Sequence, residues 1–108
     1  MKVWHTIVQY DGEIEVTTHL TVGGALLAAL AEIIHDFFDI NSEEAFLHWK
    51  SDHLRGENCE ELVGCEWNVA LMRDYDPKEL WKIYDFWSEW TWDTPSMDIS
   101  ISASTVQP

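Results

Sequence analysis

The chain has 108 residues, of which 46% are hydrophobic, and its 20 acidic and 6 basic side chains give a net charge of −14 at neutral pH. This length and apolar content predict one folded domain, residues 1–108, and exclude an intrinsically disordered chain. Charge of this sign repels nucleic acids and anionic membranes and attracts basic surfaces. Direct binding of nucleic acid or membrane is therefore not expected, and a partner should be cationic.

The chain begins with two alternating apolar and polar segments on either side of Asp11-Gly12. Asp-Gly is a preferred dipeptide of the two-residue type I′ turn, so residues 2–20 are predicted to form a β-hairpin. A two-residue turn fixes the register, in which Tyr10 faces Glu13 and Val8 faces Glu15.

The two faces of this hairpin differ in polarity. The more apolar face, which we predict to be the core face, carries Val3, Ile7, Val16 and Leu20. The other face carries Trp4, Tyr10, Glu13, Glu15 and His19. These side chains are predicted to point toward solvent or toward a binding partner.

Two helices are predicted after the hairpin. Residues 22–38 place apolar side chains at helical spacing and Glu32, His35 and Asp36 on the opposite side, which is typical of an amphipathic helix. A second helix is predicted to begin at Asn41, a capping residue, and to end near Gly56.

The second half of the chain contains the remaining elements. The alternation in WNVALMR, residues 67–73, predicts a strand, and MDISISAS, residues 97–104, predicts another. Between them, Asp76-Pro77 with Glu79 is a strong helix start, and this helix should reach about Trp90. The aromatic stripe of this helix is predicted to pack on the sheet.

The predicted order is therefore β-β-α-α-β-α-β. This order indicates an α+β domain in which a mostly antiparallel sheet, formed by the N-terminal hairpin and C-terminal strands, carries about three helices on one face.

The acidic residues are distributed unevenly along the chain. Residues 3–49 contain eight acids and no lysine or arginine. Two of the acids, Asp36 and Asp39, lie toward the C-terminal end of their predicted helix, where the helix dipole disfavours negative charge. Glu13 and Glu15 lie about 7 Å apart on one face of a strand. We therefore predict a partner-binding surface that consists of Glu13, Glu15, Glu32, Asp36, Asp39, Glu43, Glu44, Trp4 and Tyr10.

Carboxylates at such spacings resemble successive phosphates of a nucleic-acid backbone, which basic proteins bind through lysine and arginine. In size, charge and the lack of enzymatic motifs, the chain resembles the small acidic inhibitors of phages and mobile elements, the anti-restriction and anti-CRISPR proteins. This resemblance implies a non-enzymatic inhibitor without a cofactor. Such a protein would occlude a basic nucleic-acid-binding surface of a host defence protein, as a nucleic-acid mimic. Residues 1–10 alternate apolar and polar side chains and lack the apolar core of a signal peptide, so a cytoplasmic location is expected.

Two alternatives remain open. The first is a structural or regulatory interaction module whose charge serves solubility, and which could form a homodimer through a sheet edge or the aromatic helix. The second is a zinc-stabilised module or a small thiol- or metal-dependent enzyme. Its weak candidate ligands are His48, His53, Cys59 and Cys65, whose spacing is poor for zinc. We predict that the two cysteines are free thiols, as is usual in the cytosol.

Overall fold

The computed structural model of the protein describes residues 1–54, 62–91 and 97–106. The strands are β1 (Lys2–Tyr10), β2 (Glu13–His19) and β3 (Met97–Thr105), which form an antiparallel sheet in the order β2-β1-β3. The helices are α1 (Val22–Ala31), a π-helix (Glu32–Phe37), α2 (Glu43–His53), a 3-10 helix (Val69–Met72) and α3 (Pro77–Thr91). The predicted α+β class is confirmed. Within the described residues, no helix combines the length and apolar content that crossing a membrane requires.

The N-terminal hairpin has the predicted turn and register. Asp11 and Gly12 both have positive φ angles, 50° and 84°, as a type I′ turn requires. Tyr10 pairs with Glu13 and Val8 pairs with Glu15. Local turn chemistry is therefore sufficient to align these two strands.

The prediction of the hairpin's core face is wrong. The Thr6 hydroxyl, which is buried, donates a hydrogen bond of 2.7 Å to the Ala25 carbonyl of α1, and Val8 belongs to the hydrophobic core. Thr6 and Val8 lie on the same face as Glu13 and Glu15, so the helices cover the face that was predicted to point outward.

The third strand explains this choice of face. In β3, Ile101 lies opposite Thr6 and Ile99 lies opposite Val8, and both isoleucines pack against the core. The opposite face of β3 carries Asp98, Ser100, Ser102 and Ser104. Because residues that pair across neighbouring strands point to the same face of the sheet, covering the isoleucines forces Thr6 and Val8 inward.

The strand predicted at residues 67–73 is absent, and this segment contains a short 3-10 helix instead. The side chain of Asn68 accepts a hydrogen bond from Ala70 N at 3.2 Å, a local contact that competes with pairing in a sheet. Leu71 is 72% exposed whereas Met72 is buried. Met72 lies in the core, and Trp67 and Val69 pack against it, so this segment contributes apolar side chains to the core without forming a strand.

The first helical segment spans the predicted residues, whereas the start of the second helix differs from the prediction. The first amphipathic helix continues from α1 into the π-helix, and Ile40 N then donates to Ile34 O at 2.9 Å while Asp39 has a φ of 56°. This arrangement is a helix end closed by a left-handed residue. The cap of α2 is Ser42 and not Asn41, since Ala45 N donates to Ser42 Oγ at 3.1 Å. Gly56, the predicted end of this helix, lies outside the described residues.

Helix α3 begins and ends close to the prediction. Glu79 N donates to Asp76 Oδ1 at 3.1 Å, which confirms the cap, and the helix ends at Thr91. Its buried positions include Leu80, Ile83 and Trp87. Trp87 contacts Trp49 of α2 at a ring distance of 4.7 Å, so this stripe faces the other helices as well as the sheet.

The prediction of free cysteines is wrong for Cys65, which is disulfide-bonded. Cys59 lies outside the described residues. A disulfide is less common in cytosolic proteins than in proteins of oxidising compartments.

Candidate functional site

An open cleft of about 220 Å³ lies where the turn end of the hairpin meets the end of the first helical segment. β1 and β2 form one wall, the π-helix forms another, and the first residue of β3 closes the end. The lining residues are Val8, Tyr10, Glu13, Ile14, Glu15, Glu32, Asp36, Phe37 and Met97.

The cleft has an apolar part built from both walls. Tyr10 and Phe37 meet edge to face at a centroid distance of 5.8 Å, and the buried side chains of Val8 and Met97 lie beside them. Tyr10 is 47% exposed, so one of these rings remains accessible to a ligand. Such a surface can bind the aliphatic part of a side chain or stack with a cation.

Four carboxylates complete the lining: Glu13, Glu15, Glu32 and Asp36. The first two project from β2, and the other two project from the π-helix. A π turn closes over one more residue than an α turn, which places both Asp36 and Phe37 next to Glu32. The π-helix therefore presents two acids and an aromatic ring to the same cleft.

These carboxylates repel one another. Partial burial raises the pKa of Glu32, and the negative charges of Asp36 and Glu15 raise this pKa further. A hydrogen bond with Asp36 acts in the same direction, because it favours the protonated carboxyl of Glu32. The cleft consequently holds negative charge at a free-energy cost, which a bound cation would relieve.

The described basic residues do not neutralise the cleft. The ammonium group of Lys2 lies 4.7 Å from the ring of Trp4, and that of Lys50 lies 4.9 Å from the ring of Phe46. Among the described residues, the one ion pair within 4.0 Å joins Lys82 to Glu79, at 3.8 Å. The charge of the cleft is thus available to an external partner.

Five of the nine predicted binding residues line this cleft: Tyr10, Glu13, Glu15, Glu32 and Asp36. Trp4 does not, because it lies six residues from Tyr10 on β1, which corresponds to about 20 Å. It is also half-buried and contacts Lys2.

The other three predicted acids have structural roles outside the cleft. Asp39 closes the end of the first helix with a positive φ and accepts a hydrogen bond from Asn41 at 3.2 Å. Glu43 and Glu44 occupy the first turn of α2, where the helix dipole favours negative charge. All three are exposed, so they contribute to the field around the cleft without lining it.

Sequence reasoning missed the apolar residues of the cleft, Val8, Phe37 and Met97, and also Ile14, which borders the cleft from β2 but lies on the opposite face of the strand. Phe37 could not be found, because an α-helix would place it on the apolar side away from Asp36, and the π-helix brings both residues next to Glu32. Met97 could not be found either, because its position depends on the pairing of β3 with β1, which no local turn specifies.

The weak zinc hypothesis is not supported. Cys65 is disulfide-bonded and cannot bind zinc as a thiolate, and Cys59 lies outside the described residues. His48 and His53 are exposed on α2, and the ring of His53 contacts Trp49 O at 2.9 Å. In the ranges 1–54, 62–91 and 97–106, no three acidic, histidine or cysteine side chains are arranged to hold a metal ion.

The raised pKa of Glu32 gives a prediction about stability and pH. Because this pKa lies above the 4.5 of an unperturbed glutamate, the folded state retains a proton that the unfolded state has lost. Stability contributed by the protonated carboxyl is therefore present below about pH 4.5 and is lost as the pH rises through the folded pKa. As the pH rises from about 4.5 to about 7.5, the variant Glu32→Gln, which stays neutral, should become more stable relative to the wild type.

Thermal unfolding of both proteins at these two pH values measures this difference. The matched control is Glu89→Gln, which removes one exposed carboxylate from α3 outside the cleft. An equal gain in both variants would show that the effect comes from net charge and not from the cleft.

Comparison of the chain with protein-family models, with curated proteins and with solved structures finds no match in any of the three. The geometry of the acidic cleft is therefore the basis for a functional proposal.

Proposed function

We propose that this protein is a small acidic inhibitor, without enzymatic activity, that occludes a basic nucleic-acid-binding surface of a host defence protein. The observation that carries the proposal is the cleft, in which four carboxylates surround an apolar floor and the described lysines and arginine do not neutralise them. A cationic side chain with an aliphatic stem fits this combination.

The dimensions of the cleft favour an arginine or lysine side chain as the group that enters it. A volume of about 220 Å³ accommodates one or two long side chains and not a whole helix. The aliphatic stem would pack on Tyr10 and Phe37, and the charged head would reach the carboxylates of Glu15 and Glu32. Arginine matches best, since its planar guanidinium binds carboxylates in pairs and stacks on aromatic rings.

The step from one basic side chain to a nucleic-acid-binding surface rests on the charge around the cleft. Asp39, Glu43 and Glu44 follow the cleft residue Phe37 closely in the chain and are exposed. Together with the net charge of −14, they would attract a surface rich in lysine and arginine and accelerate association with it. Surfaces that bind nucleic acid have this composition, and an acidic protein seated on one would exclude the nucleic acid.

The cytoplasm is the compartment in which such a target would be met, and we propose it as the site of action. The disulfide of Cys65 would be exposed there to cellular thiols. The bond is not part of the cleft, so its reduction should leave the binding residues in place.

The experiment has two stages that separate the general and the specific parts of the proposal. Calorimetric titration with an oligo-arginine peptide tests whether the protein binds a guanidinium-rich ligand, and affinity should fall as salt is added. Pull-down from a host lysate, followed by competition of the captured target with DNA or guide RNA, tests occlusion. Capture of a target whose nucleic-acid binding is unaffected would contradict occlusion, and failure to bind the peptide would contradict the role of the cleft.

A further inference from the structure

The sheet face opposite the helices is apolar, and its β2 side is uncovered although Val3 of β1 is buried. Ile14 is 66% exposed, Val16 is 54% exposed and Leu20, which follows β2, is 74% exposed. Half-buried Ile7 of β1 lies directly opposite Val16. These four residues, here called the sheet-face patch, lie outside the described core cluster.

This face carries little charge. Alternation along the strands places Val3, His5, Ile7, Gln9, Ile14, Val16, Thr18, Asp98, Ser100, Ser102 and Ser104 on it. Asp98 is the only acid among them, although the whole chain contains 20. A basic partner would have little electrostatic attraction to this face, whereas a second copy of the chain could meet it without charge repulsion at the contact.

The face is also held in shape before any partner binds. The ring of His5 in β1 contacts Thr18 Oγ1 of β2 at 3.1 Å and Ser104 Oγ of β3 at 2.8 Å. These two hydrogen bonds tie the three strands together on this side of the sheet. A preformed surface loses less conformational freedom on association.

We infer that the protein forms a symmetric homodimer in which the sheet-face patches of two copies pack face to face. Two sheets packed in this way give an apolar layer about 10 Å thick, with the helices on the two outer sides. In such an isologous contact the same patch serves both partners, so no second complementary surface is needed. The carboxylates of the two clefts would remain open, because Glu13 and Glu15 lie on the helix side of each sheet, whereas Ile14, which borders the cleft, lies on the side of the dimer contact.

The size of the face indicates a weak dimer. Three strands of seven to nine residues cover a footprint of roughly 400 Å² per copy, at the usual strand spacing and rise. The total of roughly 800 Å² lies below the range of about 1,200–2,000 Å² that stable interfaces bury and corresponds to a weak, transient contact. The charge of −14 on each copy opposes association further. We therefore expect a dimer that forms at micromolar concentrations and strengthens when salt screens the repulsion.

Sedimentation velocity on the full chain tests this inference. Between about 10 and 200 μM the mass should rise from that of a 12.6 kDa monomer toward twice that value. The rise should occur at lower concentration in about 500 mM salt than in about 50 mM salt. This salt dependence is opposite in sign to that expected for a basic ligand in the cleft, so the two proposals can fail independently.

Variants locate the contact. Val16→Lys should weaken the dimer at least about tenfold, because the interface would bury an unpaired charge. The control Leu47→Lys changes net charge equally at a residue of α2 with the same exposure, 53% against 54%, and should dimerise at least as well as the wild type. If Val16→Lys does not fold, Val16→Thr takes its place, because it keeps a β-branched side chain in the strand. Val16→Thr should weaken the dimer by a smaller factor than the lysine variant.

A monomer at about 200 μM in high salt would overturn the inference. So would wild-type association by Val16→Lys, or an equal loss in Leu47→Lys. A dimer that persists only as a disulfide-linked band on a non-reducing gel would also overturn it.

Discussion

Replacing Trp87 by alanine should remove about 3–5 kcal/mol from the free energy of unfolding, the range found for large aromatic residues in protein cores. Trp87 is fully buried and, within residues 1–54, 62–91 and 97–106, is the largest of the fully buried side chains. Since small domains have a total stability of about 5–15 kcal/mol, this variant should lose a large fraction of its stability.

The contacts of Trp87 explain the size of this effect. Its ring lies 4.7 Å from Trp49 and 5.3 Å from Phe86, and it also meets rings from the π-helix end and α2, so it joins three helical segments. Its indole N–H donates a hydrogen bond of 2.7 Å to the Glu66 carbonyl. Alanine would leave a cavity and an unpaired carbonyl in the same place.

The neighbouring loop depends on the same contact. Gly64 has a φ of 85°, and a Cβ at this position would lie 2.4 Å from Lys82 O of α3. The loop is therefore held against α3 by a glycine that permits close approach and by the hydrogen bond from Trp87 to Glu66. Loss of the indole should release this loop together with the core.

Trp81→Ala provides the matched control, because it makes the same substitution in the same helix at a residue that is 37% exposed. Its cost should be about 1 kcal/mol or less, as is usual for surface positions. Urea unfolding followed by far-UV circular dichroism measures both variants without relying on tryptophan fluorescence. Similar costs for the two variants would show that Trp87 is not the centre of the core.

The elements that the sequence predicts correctly are those with local causes. The Asp11-Gly12 turn fixes the hairpin register, and the Asp76 side chain caps α3 through a bond to Glu79 N. Both signals act within four residues, so no knowledge of the remaining chain is required.

The core face of the hairpin has a long-range cause and was predicted wrongly for that reason. Both faces of β1 carry β-branched residues, with Thr6 and Val8 on one and Val3 and Ile7 on the other. The choice is made by β3, whose isoleucines and serines lie on opposite faces and whose pairing with β1 spans most of the chain. Hydrophobicity of the hairpin alone favoured the side that remains uncovered.

The wrong prediction of the hairpin's core face also affected the prediction of the candidate site. Placing Glu13 and Glu15 on the helix side brings them to Glu32 and Asp36, which the sequence could group by charge but not by position. No local sequence pattern predicts the π-helix that turns Phe37 toward these acids. Charge therefore predicted the acids of the cleft, and tertiary packing supplied its apolar floor.

Neutralising the acidic cleft should raise stability and lower binding at the same time. The triple variant Glu15→Gln, Glu32→Gln, Asp36→Asn removes the charges that raise the pKa of Glu32, and with them the repulsion within the folded state. Its melting temperature at neutral pH should therefore exceed that of the wild type. If these three carboxylates stabilised the fold instead, the melting temperature of the triple variant would be lower than that of the wild type.

Binding should change in the other direction. Affinity for an oligo-arginine peptide and for a captured basic target should fall by about tenfold or more, since several charge contacts are lost together. The dependence of the remaining affinity on salt should also become weaker. Calorimetry across a salt series measures both quantities for the peptide.

The control is a second triple variant, Asp52→Asn, Asp85→Asn, Glu89→Gln, which removes three exposed charges outside the cleft. Both variants have the same net charge, so a purely global attraction would weaken equally in each. We expect the control to keep its affinity within about threefold, because distant charges steer association but make no contact. Equal losses in the two variants would mean that the carboxylates act through total charge, and that the cleft has no specific part in binding.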